Sequence, residues 1–134
     1  MIVLLDTGFS VLDSDDELHK QCADALLLEF KPVLPDVVLP ELAYMILREL
    51  GYSVLVSFIN SIINGELTMG KMTQQDLVRI SEILKKYSDS HVDFVDCAIV
   101  AMSERLNIRR IMTVDKRHFN LFRPSHCPYF TLIP

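Results

Sequence analysis

Short unbroken apolar runs and stretches with helical spacing take turns along this chain. Met1–Leu5 is an apolar run cut off by Asp6, with Gly8 close behind, which predicts a buried strand opening into a loop with Asp6 at its carboxyl end. Ser14-Asp15-Asp16-Glu17 has the spacing of a capping box, and Leu18, Cys22, Ala25 and Leu26 then repeat on one face, predicting a helix up to about Phe30. Pro32 and Pro35 break it. Asp36-Val37-Val38-Leu39 predicts a second short strand running into Pro40, which suits the first position of a helix and so puts Glu41 in that helix's first turn. Gly51 caps this helix, a third covers Val54–Ile63 up to Asn64-Gly65, and Leu67–Met69 is a candidate small strand.

Thr73-Gln74-Gln75-Asp76 is a second capping signature, followed by Leu77, Ile80, Leu84 and Tyr87 at helical spacing. Beyond the polar loop Ser88–His91, the positions Val95, Ala98, Ile99, Met102 and Leu106 mark the buried face of a further helix that stops at Asn107, with Asp93 and Asp96 on another face. Ile111-Met112-Thr113-Val114 predicts a strand ending at Asp115, and Tyr129–Ile133 a final one. Helices alternating with short apolar strands imply an α/β sandwich around a mostly parallel sheet.

At 134 residues, half of them hydrophobic, the chain suits one core and is short for two, so residues 1–134 are read as a single domain. No stretch approaches the ~18 consecutive apolar residues of a membrane span, and no basic leader precedes a hydrophobic region, which fits a cytoplasmic protein with no membrane contact. The three cysteines, Cys22, Cys97 and Cys127, are odd in number and widely spaced, as expected in a reducing compartment. A net charge of −5 argues against a protein that grips nucleic acid over its whole surface, but leaves room for a local basic rim around an acidic site.

That acidic site is where the chemistry concentrates. In an open parallel sheet, ligands bind beyond the carboxyl ends of the strands. Asp6 and Asp115 stand at such ends, and Glu41 and Asp96 in first turns of helices that begin at the same edge. Any one of them alone is more often a turn former or a helix-dipole partner than a catalyst. Four together would raise one another's pKa unless a cation compensates, and hard oxygen ligands favour Mg²⁺ or Mn²⁺ over zinc. Zinc on His118, His126 and Cys127 fits no common spacing. Lys116, Arg117 and His118, directly after Asp115, could guide a phosphate to the metal; the bland alternative is a solvated basic face.

In order along the chain, Ile2-Val3-Leu4-Leu5-Asp6-Thr7, Leu39-Pro40-Glu41-Leu42-Ala43-Tyr44, Asp93-Phe94-Val95-Asp96-Cys97-Ala98-Ile99-Val100-Ala101 and Ile111-Met112-Thr113-Val114-Asp115 leading to His118-Phe119 resemble the motifs of the PIN domain family, most closely its VapC-type toxins. The resemblance spans essentially the whole chain; no one motif is specific, whereas the ordered set is. It implies a three-layer PIN-like sandwich with a five-stranded parallel sheet flanked by helices. It implies Mg²⁺- or Mn²⁺-dependent endoribonuclease activity at Asp6, Glu41, Asp96 and Asp115 as catalytic and metal-binding residues, with Thr7 and Thr113 supporting them. Asp93, one turn from Asp96, is either an outer-shell ligand or the N-cap of its helix, the second being the simpler reading. Cys97 stands where an Ala is more usual and reads as a small buried residue. The partners implied are RNA, a cognate antitoxin and a second copy of the chain in a homodimer, and the apolar residues around the circumference of Pro40–Asn64 suit such contacts as well as a core.

Other families with a strand ending in Asp-Thr or an acidic pocket fit less well. An aspartyl phosphatase wants a second Asp two residues after the first, where Gly8 stands; a response-regulator receiver wants an acidic pair after its first strand; a dinucleotide-binding fold wants a Gly-rich first turn. The rival functions are a non-catalytic PIN module that binds RNA or protein, which loss of one of the acids would have signalled, and a structure-directed DNA nuclease, whose usual insertions this short chain has little room for.

Overall fold

The computed structural model describes residues 2–6, 31–113 and 115–133. The helix expected over Ser14–Phe30, the supporting residue Thr7 and Cys22 lie outside the described residues. Five strands, β1 (Ile2–Leu5), β2 (Lys31–Pro35), β3 (Thr68–Gly70), β4 (Arg110–Met112) and β5 (Thr131–Ile133), form one sheet in the order β3-β2-β1-β4-β5, with every neighbouring pair parallel. The five-stranded parallel sheet expected from the resemblance is therefore observed. Around it stand α1 (Leu39–Leu50), α2 (Tyr52–Ile63), α3 (Gln74–Lys86), α4 (Phe94–Leu106) and the short α5 (Lys116–Leu121).

β1 is the central strand, and Val3, Leu4 and Leu5 are buried in succession, as a strand covered on both faces requires. Leu34, Ile111 and Met112 extend this layer, and α4 packs on it so tightly that Asp96 through Ser103 are all buried. Gly70 in β3 serves the same packing: a Cβ there would come within 3.2 Å of Val33 Cγ1 and 3.4 Å of Met102 Cε.

Two expectations need correction. The second strand is Lys31–Pro35, and Asp36–Val38 is a 3₁₀ turn leading into α1. Pro32 pairs with Val3 at a level where β3 has not yet begun, and Pro35 closes the strand, positions at which a missing N–H costs the sheet little. In α3 the buried positions are Asp76, Ile80 and Ile83, while Leu77 and Leu84 face outward and line an open groove of about 510 Å³ with Phe94. Asp76 is the cause. Burial works to raise its pKa, but hydrogen bonds from the Arg105 guanidinium and the Thr73 amide outweigh it and hold the carboxyl below its usual range. Arg105 Nε lies 2.9 Å from Asp76 Oδ1, and beside this pair Arg79 holds Glu104 through contacts of 2.7 and 3.0 Å. These ion pairs turn the helix so that an acidic position faces α4.

Three helix ends follow the sequence closely. Thr73 and Asp76 form the reciprocal capping box, Gly51 takes the positive φ of 89° that ends α1, and Asn107 ends α4 in the left-handed region. The turn of helix at Lys116–Leu121 was not expected; at six residues it is too short for periodicity to reveal.

Candidate active site

The strand order reverses at β1: β2 and β3 extend the sheet on one side, and β4 and β5 on the other. A crevice opens at such a point beyond the carboxyl ends of the strands. Asp6 follows β1 directly and Asp115 follows β4, so both lie at this crevice. Asp96 comes from the first turn of α4 and Glu41 from the first turn of α1. Asp6, Glu41, Asp93, Val95, Asp96 and Asp115 line one cleft of about 160 Å³. The four acids picked from the sequence are thus brought together.

Their surroundings differ. Asp6 and Asp96 are each 6% exposed, Asp115 is half-buried, and Glu41 stands at the exposed rim. Asp93 is the N-cap of α4, and its Oδ1 accepts the Asp96 amide N–H at 2.8 Å, which bears out its capping role and fixes the turn that carries Asp96. Thr113 is fully buried between the two strand-end acids. Its hydroxyl donates to Asp6 Oδ2 at 2.5 Å and accepts the Asp115 amide N–H at 2.9 Å, so one side chain holds the Asp6 carboxylate and the backbone that carries Asp115.

Replacing Thr113 with Val removes this link while keeping the shape. The expected result is a 10–100-fold weaker apparent metal affinity, because a group that orients ligands acts through the ligands. Thr113→Ser is expected to behave like the native protein. Calorimetric titration with Mn²⁺ checks this; unchanged affinity in the Val variant would remove Thr113 from the site.

His118 is placed differently from its basic neighbours. Lys116 and Arg117 are exposed, but His118 Nδ1 is buried 3.0 Å from Asp115 Oδ2 and 3.3 Å from Asp96 Oδ2. Neither oxygen lies in line for a hydrogen bond, so the contact is an electrostatic one. It follows from the first turn of α5: Asp115 is the N-cap, accepting the His118 amide N–H at 3.3 Å, and residues three apart share a helix face. Ligand atoms of Asp96, Asp115 and His118 lie within 4.8 Å of one another.

The crowding of negative charge shows in Asp96. Burial is the main cause pushing its carboxyl up to about 7, and Asp93, Asp6 and Asp115 add to it, with His118 opposing. A carboxyl that keeps its proton up to about pH 7, chiefly through burial and further through its acidic neighbours, fits a site built around a cation, and the oxygen-rich donor set suits a hard divalent ion. Cys97, next to Asp96, is fully buried; burial first, and then Asp96 and Asp93, push its thiol up to about 11, so it is an inert packing residue at neutral pH.

Comparison with known proteins agrees with this geometry. A family model described as PIN domain matches residues 3–122. The chain is 27% identical to Ribonuclease VapC26 of Mycobacterium tuberculosis over 141 residues, covering 98% of this chain and 100% of that protein. Its fold is similar to the crystal structure of Mycobacterium tuberculosis VapC20, a Sarcin-Ricin loop cleaving toxin, at a TM-score of 0.74 and 17% identity over 86% of this chain and 91% of that one. It is also similar to VapBC2 of Rickettsia felis, seen bound to a DNA fragment from their promoter, at a TM-score of 0.65 and 16% identity over 98% and 97% of the two chains.

Proposed function

Because the chain belongs to the PIN domain family, we propose that it is a metal-dependent endoribonuclease that hydrolyses RNA phosphodiester bonds and serves as the toxin of a VapBC-type toxin–antitoxin pair. The observation that carries this reading is the single cleft lined by Asp6, Glu41, Asp96 and Asp115 at the point where strand order reverses. The ribonuclease relative, aligned over nearly the full chain, supplies the substrate class.

Asp6, Asp96 and Asp115, with Glu41 at the rim, would hold Mg²⁺ or Mn²⁺. Such an ion, when bound, favours ionisation of a water and offsets charge on the phosphodiester as the leaving oxygen departs. The chain's own contribution is positional. Thr113 locks Asp6 and Asp115, Asp93 locks the helix turn of Asp96, and the buried floor of Val3–Leu5 and Ile111–Met112 keeps these elements rigid. The basic pair Lys116 and Arg117, exposed beside the acids, counters the repulsion that an acidic chain would otherwise exert on RNA.

An antitoxin and a second copy of the chain are the proposed protein partners. The surface that supports this is α2: twelve residues, none of them charged and none buried, with Tyr52, Val56 and Ile63 strongly exposed. An apolar helix left open in this way suits protein contact better than water.

Cleavage of a labelled RNA oligonucleotide pool with Mn²⁺ or Mg²⁺, alongside the same reaction in excess chelator and a DNA pool of the same sequences, tests the activity. RNA should be cut internally, cutting should stop with chelator and resume on adding excess metal, and DNA should survive. RNA bound but never cut would establish a binding module instead, and cutting unaffected by chelator would sink the metal role.

A further inference from the structure

A second hollow borders the acidic cleft. It has a volume of about 290 Å³ and is lined by Asp89, Ser90 and His91, from the turn before α4, and by Arg117, His118 and Leu121 of α5. His118 is the partition between the two. Its Nδ1 is buried against Asp96 and Asp115, while its side chain as a whole remains 29% exposed, so the rest of the ring faces the hollow. A strand with one phosphodiester at the carboxylates would therefore carry the next nucleotide past His118 into this space.

The lining matches a nucleotide in kind as well as in place. Arg117 is exposed and has no ion pair among the described residues, so its fork of donors is available for phosphate oxygens. Asp89 is also exposed and unpaired among the described residues, and an ionised carboxylate only accepts. Ser90 adds a hydroxyl, and Leu121 with the His91 imidazole offers surface for a base to rest on. A carboxylate's two oxygens are met best by a base with two adjacent donors on its pairing edge, which is guanine; adenine and cytosine bring one amino group and uracil one imide.

We propose that this hollow is a subsite for the nucleotide adjacent to the scissile phosphodiester, with Arg117 holding its phosphate and Asp89 reading the donor edge of a guanine. The proposal rests on the acidic cleft being the cleavage site, but its recognition chemistry is separable from cleavage.

Two measurements test it. In the first, GMP, AMP, CMP and UMP are titrated into the metal-free protein in excess chelator and followed by NMR, for the native chain, Arg117→Ala and Asp89→Asn. GMP should bind most tightly; Arg117→Ala should weaken all four by about tenfold, and Asp89→Asn should bring GMP down to the level of UMP. In the second, Mn²⁺-dependent cleavage of guanine-containing oligonucleotides should show Arg117→Ala raising KM about tenfold with much less change in kcat, and Arg117→Lys recovering part of the loss. Equal binding of all four mononucleotides to the native protein overturns the assignment of the base, and unchanged binding in Arg117→Ala overturns the subsite. Native mononucleotide selectivity without any RNA cleavage would instead keep the subsite and reject the nuclease reading.

Discussion

Asp96→Asn is expected to lower Mn²⁺-dependent RNA cleavage by about 10³-fold or more and at the same time to raise the melting temperature of the metal-free protein. The two effects have one cause. Asp96 is almost fully buried, stands in a cleft with Asp6, Asp93 and Asp115, and has its carboxyl pushed up to about 7. In the metal-free state its charge is therefore a burden, and Asn keeps its size while removing that charge. Allowing for water in the cleft, a gain of about 1–2 kcal/mol is expected, equivalent to about 3–8 °C in a domain of this length. Asp6→Asn should likewise abolish cleavage, but its gain in stability should be smaller, because Asp6 accepts the Thr113 hydroxyl in the folded state. Calorimetry in chelator and a cleavage assay in Mn²⁺ provide both readings. Opposite signs of the two effects exclude loss of activity through misfolding; a fully active Asp96→Asn would remove the proposed site.

The acids were legible in the sequence because each is pinned to the end of an element. Asp6 closes an aliphatic run and Asp115 follows another, while Pro40 and Asp93 announce the helix starts that carry Glu41 and Asp96. That these four ends share one edge follows from the parallel sheet, which the alternation of strands and helices already suggests. What the sequence concealed depends on pairings made far along the chain. β2 holds two prolines, which local rules read as breakers, and only the register with Val3 and Gly70 shows why they are tolerated. In α3 the inward face includes Asp76, and nothing in an apolar pattern reveals a carboxylate buried against Arg105, 29 residues on. His118 looked like one member of a basic run. Its turn toward the carboxylates depends on α5, whose six residues are too few to register as a helix.

The raised pKa of Asp96 also fixes how metal binding should depend on pH. A proton and a divalent ion compete for the same carboxylate, so apparent Mn²⁺ affinity should fall up to tenfold per unit as pH drops below about 7 and level off above it. The stability of the metal-free protein should run the opposite way. The folded carboxyl holds its proton more tightly than the unfolded one, whose pKa is near 3.9, so the contribution of Asp96 is fully present below about pH 4 and is lost as pH rises through about 7. Added metal should therefore stabilise the protein more at pH 8 than at pH 6, since only the charged site binds it well. Melting curves at both pH values, with and without Mn²⁺, measure this directly, and Asp96→Asn provides the control in which the dependence between pH 4 and 7 should flatten. Equal metal stabilisation at pH 6 and pH 8 would mean that the ion does not displace the Asp96 proton, and the carboxylates would then be crowded for some reason other than holding a metal.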